Sequence, residues 1–243
     1  MMKQNKNLLT ISEAAEFLGV SMNTLRIWDA KGKLKPVRSA GGHRYYSKEG
    51  LELFAQDLFS VARVWAESPQ APELSQVHYC QTRDVFQARL ERIAHVLDAG
   101  VNSKELAPLI TAVAGEIGNN SFDHNFGNWP DVPGTFFAHD LSKRIIVLAD
   151  RGVGIRATLL RVRPDIKDDI AALRVAFTEQ ISGRAPEQRG NGLKFVRNVA
   201  TENAIGIYLQ SGTAFAGIAK DRGSLTINLA DRNIRGVLAN ITY

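Results

Sequence analysis

Cysteine is nearly missing: Cys80 is alone among 243 residues. That excludes an internal disulfide framework. With only His78 beside it as a second ligand, a closed zinc site is excluded too. No apolar run has the length that crosses a bilayer. The opening MMKQNKNLL lacks the apolar core and cleavage pattern of a secretory signal. The expected location is therefore a reducing cytoplasm, with no membrane partner.

What is present is ordinary for a globular protein, at 44% hydrophobic residues. The length suits one large or two modest domains. A net charge of +5 and a pI near 9.4 permit an anionic partner without demanding one.

The first sixty residues carry helix punctuation. Thr10-Ile-Ser-Glu13 has capping-box spacing, and the helix that follows should bury Ala14, Ala15 and Leu18 and end at Gly19. Ser21 can cap a second helix from Met22 to about Lys31, burying Leu25 and Trp28. The stretch GKLKPVRSAGGHRYY (32–46) then predicts a hairpin turning at Gly41-Gly42. Ser47 can cap a third helix with Leu51, Leu53 and Phe54. Between Lys31 and Lys48 lie Lys33, Lys35, Arg38 and Arg44, and no acid.

This order, with TLRIWDAKGKL and GGHRYY, resembles the winged MerR/excisionase-type DNA-binding domains over about Leu8–Asp57. The resemblance implies a second helix that enters a major groove of double-stranded DNA through Asn23, Thr24 and Arg26. It implies a wing that offers Lys35, Arg38, His43, Arg44 and Tyr45 to phosphates and the minor groove.

Residues 61–81 are expected to be a linker, with Val61–Ala66 prolonging the third helix and Ser68-Pro-Gln-Ala-Pro72 as a breaker. Thr82–Ala99 is amphipathic, with a stripe of Val85, Phe86, Leu90, Ile93 and Leu97, and Gly100 as its stop. The stripe fits packing on a sheet or pairing with a twin helix, so a homodimer stays open. A helix starting near Asn102 or Ser103 then runs into GEIGNNSFDHN (115–125). There Glu116, Asn120, Asp123 and His124 share one side, continuing the line of Leu109 and Val113. Pro108 requires a helix start close by.

Farther on, the apolar run Ile145–Ala149 delivers Asp150-Arg-Gly-Val-Gly-Ile155, and Arg189-Gly-Asn-Gly-Leu193 opens another helix. The three elements in this order resemble the GHKL ATPases, from about Ser103 to the end of the chain. The implied fold class is α+β: a winged helix-turn-helix domain (1–60), then residues 82–243 as a two-layer sandwich, a mixed sheet with helices on one face. By that resemblance Asn120 holds Mg²⁺, Glu116 orients or deprotonates water for a slow hydrolysis, and Asp150 accepts from the adenine amino group of ATP or ADP. Gly152, Gly154 and Ile155 approach the nucleotide. Gly190, Asn191, Gly192 and Leu193 bring helix amides to the phosphates, with Asp123 and His124 nearby. Arg184 and Arg189, in an expected lid over 156–188, would neutralise the triphosphate. A helix is expected from Asp165 to about Gln180.

A hairpin at Thr135–His139 and Arg144–Ala149 is expected, then strands at Ile205–Leu209, Thr213–Ala219, Ser224–Leu229 and Val237–Thr242. Two Gly-led pairs, Gly212-Thr213 and Gly236-Val237, compete for the place beside Asp150. The aromatic loop 125–130 either walls the pocket or receives a partner. The leading expectation is an ATP-dependent DNA-binding regulator. The alternative is an anti-sigma-type serine/threonine kinase or switching protein acting on a partner protein.

Overall fold

The computed structural model describes residues 8–18, 21–30, 32, 34–39, 41–48, 50–51, 57–99, 105–179, 192–221 and 223–243. Gly19, Lys31, Lys33, Leu53, Phe54, Gly100, Asn102 and Ser103 fall outside them.

The front begins with strand β1 (Leu8–Thr10) and helix α1 (Ile11–Leu18). The capping box forms: Thr10 N–H donates to Glu13 Oε2 at 2.8 Å, and Glu13 N–H donates to Thr10 Oγ1 at 3.3 Å. Helix α2 (Met22–Ala30) starts at Ser21, whose Oγ accepts from Thr24 N–H at 3.1 Å. Strands β2 (Val37–Arg38) and β3 (Arg44–Ser47) make the wing, turning through Gly42 at φ +78°. β1 pairs with the other side of β3, an addition that three residues of sequence did not announce. Ser47 Oγ accepts from Gly50 N–H at 3.0 Å, and Leu51 is fully buried.

Helix α3 (Leu58–Glu67) is not a prolongation of the preceding helix. Asp57 has a non-helical backbone, and its side chain accepts from Ser60 N–H at 3.1 Å, so α3 has a start of its own. It packs on the sheet of the body rather than hanging free.

That sheet contains β4 (Tyr79–Cys80), β5 (Thr135–Asp140), β6 (Ile145–Asp150), β7 (Gly206–Ile218) and β8 (Thr226–Thr242), in the order β4-β5-β6-β8-β7. Every described pairing is antiparallel, so the expected mixed sheet is corrected. The reason is connectivity: β5–β6 and β7–β8 are hairpins, which pair only antiparallel. The four expected late strands are two long ones, and the Gly212 break is a register shift rather than an end.

Strand alternation gives the sheet two apolar faces. Phe137, Ile146, Leu148, Ala239 and Ile241 face helices α4 (Arg83–Ala99), α5 (Ala107–Asn125) and α8 (Gly192–Glu202). Phe136, Ala138, Val147, Ala149 and Leu238 join Leu25, Trp28, Tyr46, Leu51 and the α3 residues Val61, Val64 and Trp65 in one cluster. Helices on one face only is therefore a second correction: α3 covers the other face, and the front joins the same apolar cluster.

Helix α4 buries Phe86, Leu90, Ile93 and Leu97, but Val85 is exposed and leaves the stripe. Pro108 sits in the first turn of α5, where no amide is missed. Helix α6 (Gly154–Leu159) was not expected, and α7 (Asp169–Thr178) is shorter than the predicted span because Asp168 caps it.

Candidate functional site

The second half of α5 forms one wall of a cavity of about 880 Å³. Glu116, Asn120, Asp123 and His124 line it, as their common side required. Asp150, at the end of β6, lines the same cavity, with Gly154 and Ile155 from α6 and Gly192 and Leu193 from α8. A methyl group on Gly192 would lie 2.6 Å from Glu116 Oε2 and 3.3 Å from Asn120 Nδ2. The start of α8 therefore lies directly against these two side chains. Arg184, Arg189, Gly190 and Asn191 lie outside the described residues.

Asp150 is buried. Its Oδ2 accepts from Ser121 Oγ at 2.7 Å and its Oδ1 from Gly152 N–H at 2.8 Å. Burial pushes its carboxyl up to about 6, against the bonds from Ser121, Gly152 and the Val237 amide, which favour the anion. Gly236 comes closest: a methyl there would meet Asp150 Oδ1 at 2.1 Å. So Gly236-Val237 is the pair beside Asp150. Gly212-Thr213 belongs elsewhere, because Thr213 N–H and Oγ1 both donate to Asp169 Oδ2.

Gly152 does not line the large cavity; it borders a smaller one behind the loop. Its bare α-carbon makes room for Asn125, whose side-chain atoms would lie 2.1–2.3 Å from a methyl. Asn125 Oδ1 accepts from Val153 N–H at 2.8 Å and Nδ2 donates to Ser121 O at 2.7 Å, stapling the loop to α5. Asp123 pairs with Arg83 at the start of α4, and Gln87 Nε2 donates to Asn119 Oδ1 at 2.6 Å, so α4 also borders the cavity. In the aromatic loop, Trp129 packs edge-on against Phe122, 6.1 Å between centroids, while Phe126 is exposed.

Ser121, Asn125 and Arg83 were not predicted as site residues, and Gly236 stood only as one of two alternatives. Ser121 and Asn125 stood inside the quoted motif, four residues apart, but a buried polar pair there looks in sequence like any helix end. Nothing local marks Arg83.

On the front, Asn23 and Arg26 of α2 are exposed, as are Lys35 and His43, and Tyr45 is half-buried. Thr24 is a correction. It is buried, and its Oγ1 donates to the Glu73 carbonyl at 3.1 Å, so it faces the protein rather than a groove. The wing is less purely cationic in space than in sequence. Arg38 Nη2 and Arg44 Nε both donate to Asp29 Oδ2, at 2.5 and 2.7 Å, because the last turn of α2 lies against the hairpin. Among the described residues no helix is long and apolar enough to cross a membrane.

Residues 10–46 match the family model described as MerR family regulatory protein. Over 63 residues the chain is 41% identical to the type II methyltransferase M.Eco47II of Escherichia coli. That match covers 26% of this chain and 15% of the relative's length. With the exposed face of α2 and the wing beside it, the family match gives the front of the chain as a MerR-type helix-turn-helix DNA-binding domain.

Proposed function

We propose that the chain is a DNA-binding regulator whose body binds a purine nucleoside triphosphate with magnesium, in the manner of the GHKL ATPases. The observation that carries this reading is convergence: Glu116 and Asn120, Asp150, and the first residue of α8 come from segments far apart in sequence and border one cavity. Its volume is within the range of small-molecule sites. Asp150 would accept from an exocyclic amino group of the base, with Ser121 and Gly152 holding the carboxylate in place. The amides opening α8 would face phosphate oxygens.

Magnesium fits the residues present. The described residues hold no cluster of three acidic, His or Cys ligands. This cation, however, prefers one or two protein oxygens completed by water and phosphate. The bare α-carbon of Gly192 lets Asn120 and Glu116 lie against the start of α8 on the cavity wall, which brings one amide oxygen and one carboxylate to the same place. Asn120 would hold the ion, which when bound would supply positive charge to offset the negative charge of the phosphates. Glu116, exposed at the cavity wall, would orient a water for slow hydrolysis.

DNA affinity would then depend on the nucleotide state, through the apolar cluster that the body and the reader share. The test is nucleotide titration with and without Mg²⁺ on wild type, Asp150→Asn and Glu116→Ala. Saturable, magnesium-enhanced binding is expected, lost in Asp150→Asn and kept in Glu116→Ala with turnover reduced. Absence of binding in the wild type would refute the reading.

A further inference from the structure

Arg151 stands between Asp150 and Gly152, yet its side chain runs to the other face of the sheet and is fully buried. Its Nε donates to Asp131 Oδ2 at 2.7 Å, and Nη2 also reaches that carboxylate. Nη1 donates to the carbonyl of Trp65, Nη2 donates to that of Ser68 at 2.8 Å, and the guanidinium lies 5.8 Å from the centre of the Trp65 ring. A buried cation is a costly way to glue two segments, and apolar side chains would do so as well or better. The arrangement therefore invites another role.

The far end of the same segment meets the DNA reader. Four residues after Pro69, the Glu73 carbonyl accepts from Thr24 Oγ1 at 3.1 Å and from Ser21 N–H at 3.4 Å, at the N-terminal turn of α2. Pro69 and the buried Pro72 restrict the chain between these two anchors. A continuous run of bonds thus links Asp150 to Arg151, Arg151 to 65–69, and Glu73 to the helix that presents Asn23 and Arg26.

We propose that Arg151 is the positioning residue through which occupancy of the base pocket is felt at the DNA-reading helix. This rests on the nucleotide reading above. A base held by Asp150 orders the 150–154 loop. The loop shares bonds with 65–69, so local opening of 65–74 and of the start of α2 becomes rarer, and no large displacement is needed. DNA then meets a pre-ordered helix and pays less to bind.

The test is hydrogen exchange with mass-spectrometric readout on the full chain, with and without Mg²⁺ and a non-hydrolysable ATP analogue. In the wild type, nucleotide should slow exchange in Ile117–Asn125 and, by about fivefold or more, in 65–74 and Met22–Ala30. In Arg151→Met the first protection persists and the second is lost. Asp131→Asn keeps an amide oxygen to accept from the guanidinium but removes the charge that fixes it against the Trp65 and Ser68 carbonyls, and should lose most of the second. Distant protection unchanged in both variants, or absent from a wild type that protects Ile117–Asn125, overturns the tether alone. No protection of Ile117–Asn125 in the wild type overturns the nucleotide reading and the tether with it.

Discussion

Asp150→Asn should stabilise the nucleotide-free protein at neutral pH and remove a specific pH dependence. The carboxyl is fully enclosed and its proton is held up to about 6 from an ordinary 3.8, chiefly because burial penalises the charge. A raised carboxyl binds its proton more tightly folded than unfolded. Its contribution is therefore complete below about pH 4 and is lost as pH rises through about 6. The interval from 3.8 to about 6 corresponds to about 3 kcal/mol against the ionised form at pH 7 and above. Asparagine avoids that loss and can keep the bonding, since its Oδ1 accepts from Gly152 N–H and the Ser121 hydroxyl can turn to accept from Nδ2. For a chain of this size about 3 kcal/mol is roughly 6–12 °C in Tm. The assay is thermal or denaturant unfolding of both proteins from pH 4 to 8, read as the difference between them so that other titrating groups cancel. The two should coincide near pH 4 and diverge up to pH 7, with the variant the more stable. Parallel curves, or divergence with the wild type on top, would refute the electrostatic argument.

Gly192→Ala places a methyl 2.6 Å from Glu116 Oε2, and should cut nucleotide affinity about tenfold or more, or about 1.4 kcal/mol, while circular dichroism stays unchanged; titration with a fluorescent nucleotide reads it. Gly118→Ala drives a methyl to 2.1 Å from Phe86 Cζ where α4 crosses α5, and should destabilise by about 1–3 kcal/mol in urea unfolding. Arg26→Ala removes an exposed cation from α2 and should weaken binding to a cognate site, whereas Arg38→Ala and Arg44→Ala each should lower the slope of log affinity against log salt by about one, as measured by anisotropy across a salt series. Asp29→Asn frees both wing arginines from their shared carboxylate, and should raise non-specific DNA affinity while blurring discrimination between sequences.

Local signals carried much of this in the sequence. Capping residues showed where α1, α2 and the helix after Ser47 begin, because a side-chain acceptor three residues ahead of a bare amide is a short-range interaction. The common side of Glu116, Asn120, Asp123 and His124 followed from helix geometry alone. Long-range facts were hidden. That Asp29 pairs with two wing arginines depends on a helix end folding back on a hairpin. That Gly236 rather than Gly212 reaches Asp150 depends on the register of β8 against β6. That Thr24 faces inward depends on Glu73, forty-nine residues away. The stretch 61–81 looked like a linker because its breakers are conspicuous; the burial of Val61, Val64 and Trp65 on the sheet appears only in three dimensions.

The shared apolar layer beneath α3 bears on how such a chain can be divided or recombined. Cut away everything before about residue 82, and Phe136, Ala138, Val147 and Ala149 are stripped of their cover, leaving a sticky flat surface prone to aggregation. The two halves are therefore not interchangeable beads on a string. An exchange of readers between relatives would have to bring a matching underside along with its recognition helix. Heating should melt the ensemble in a single step, since neither half keeps a complete interior without the other.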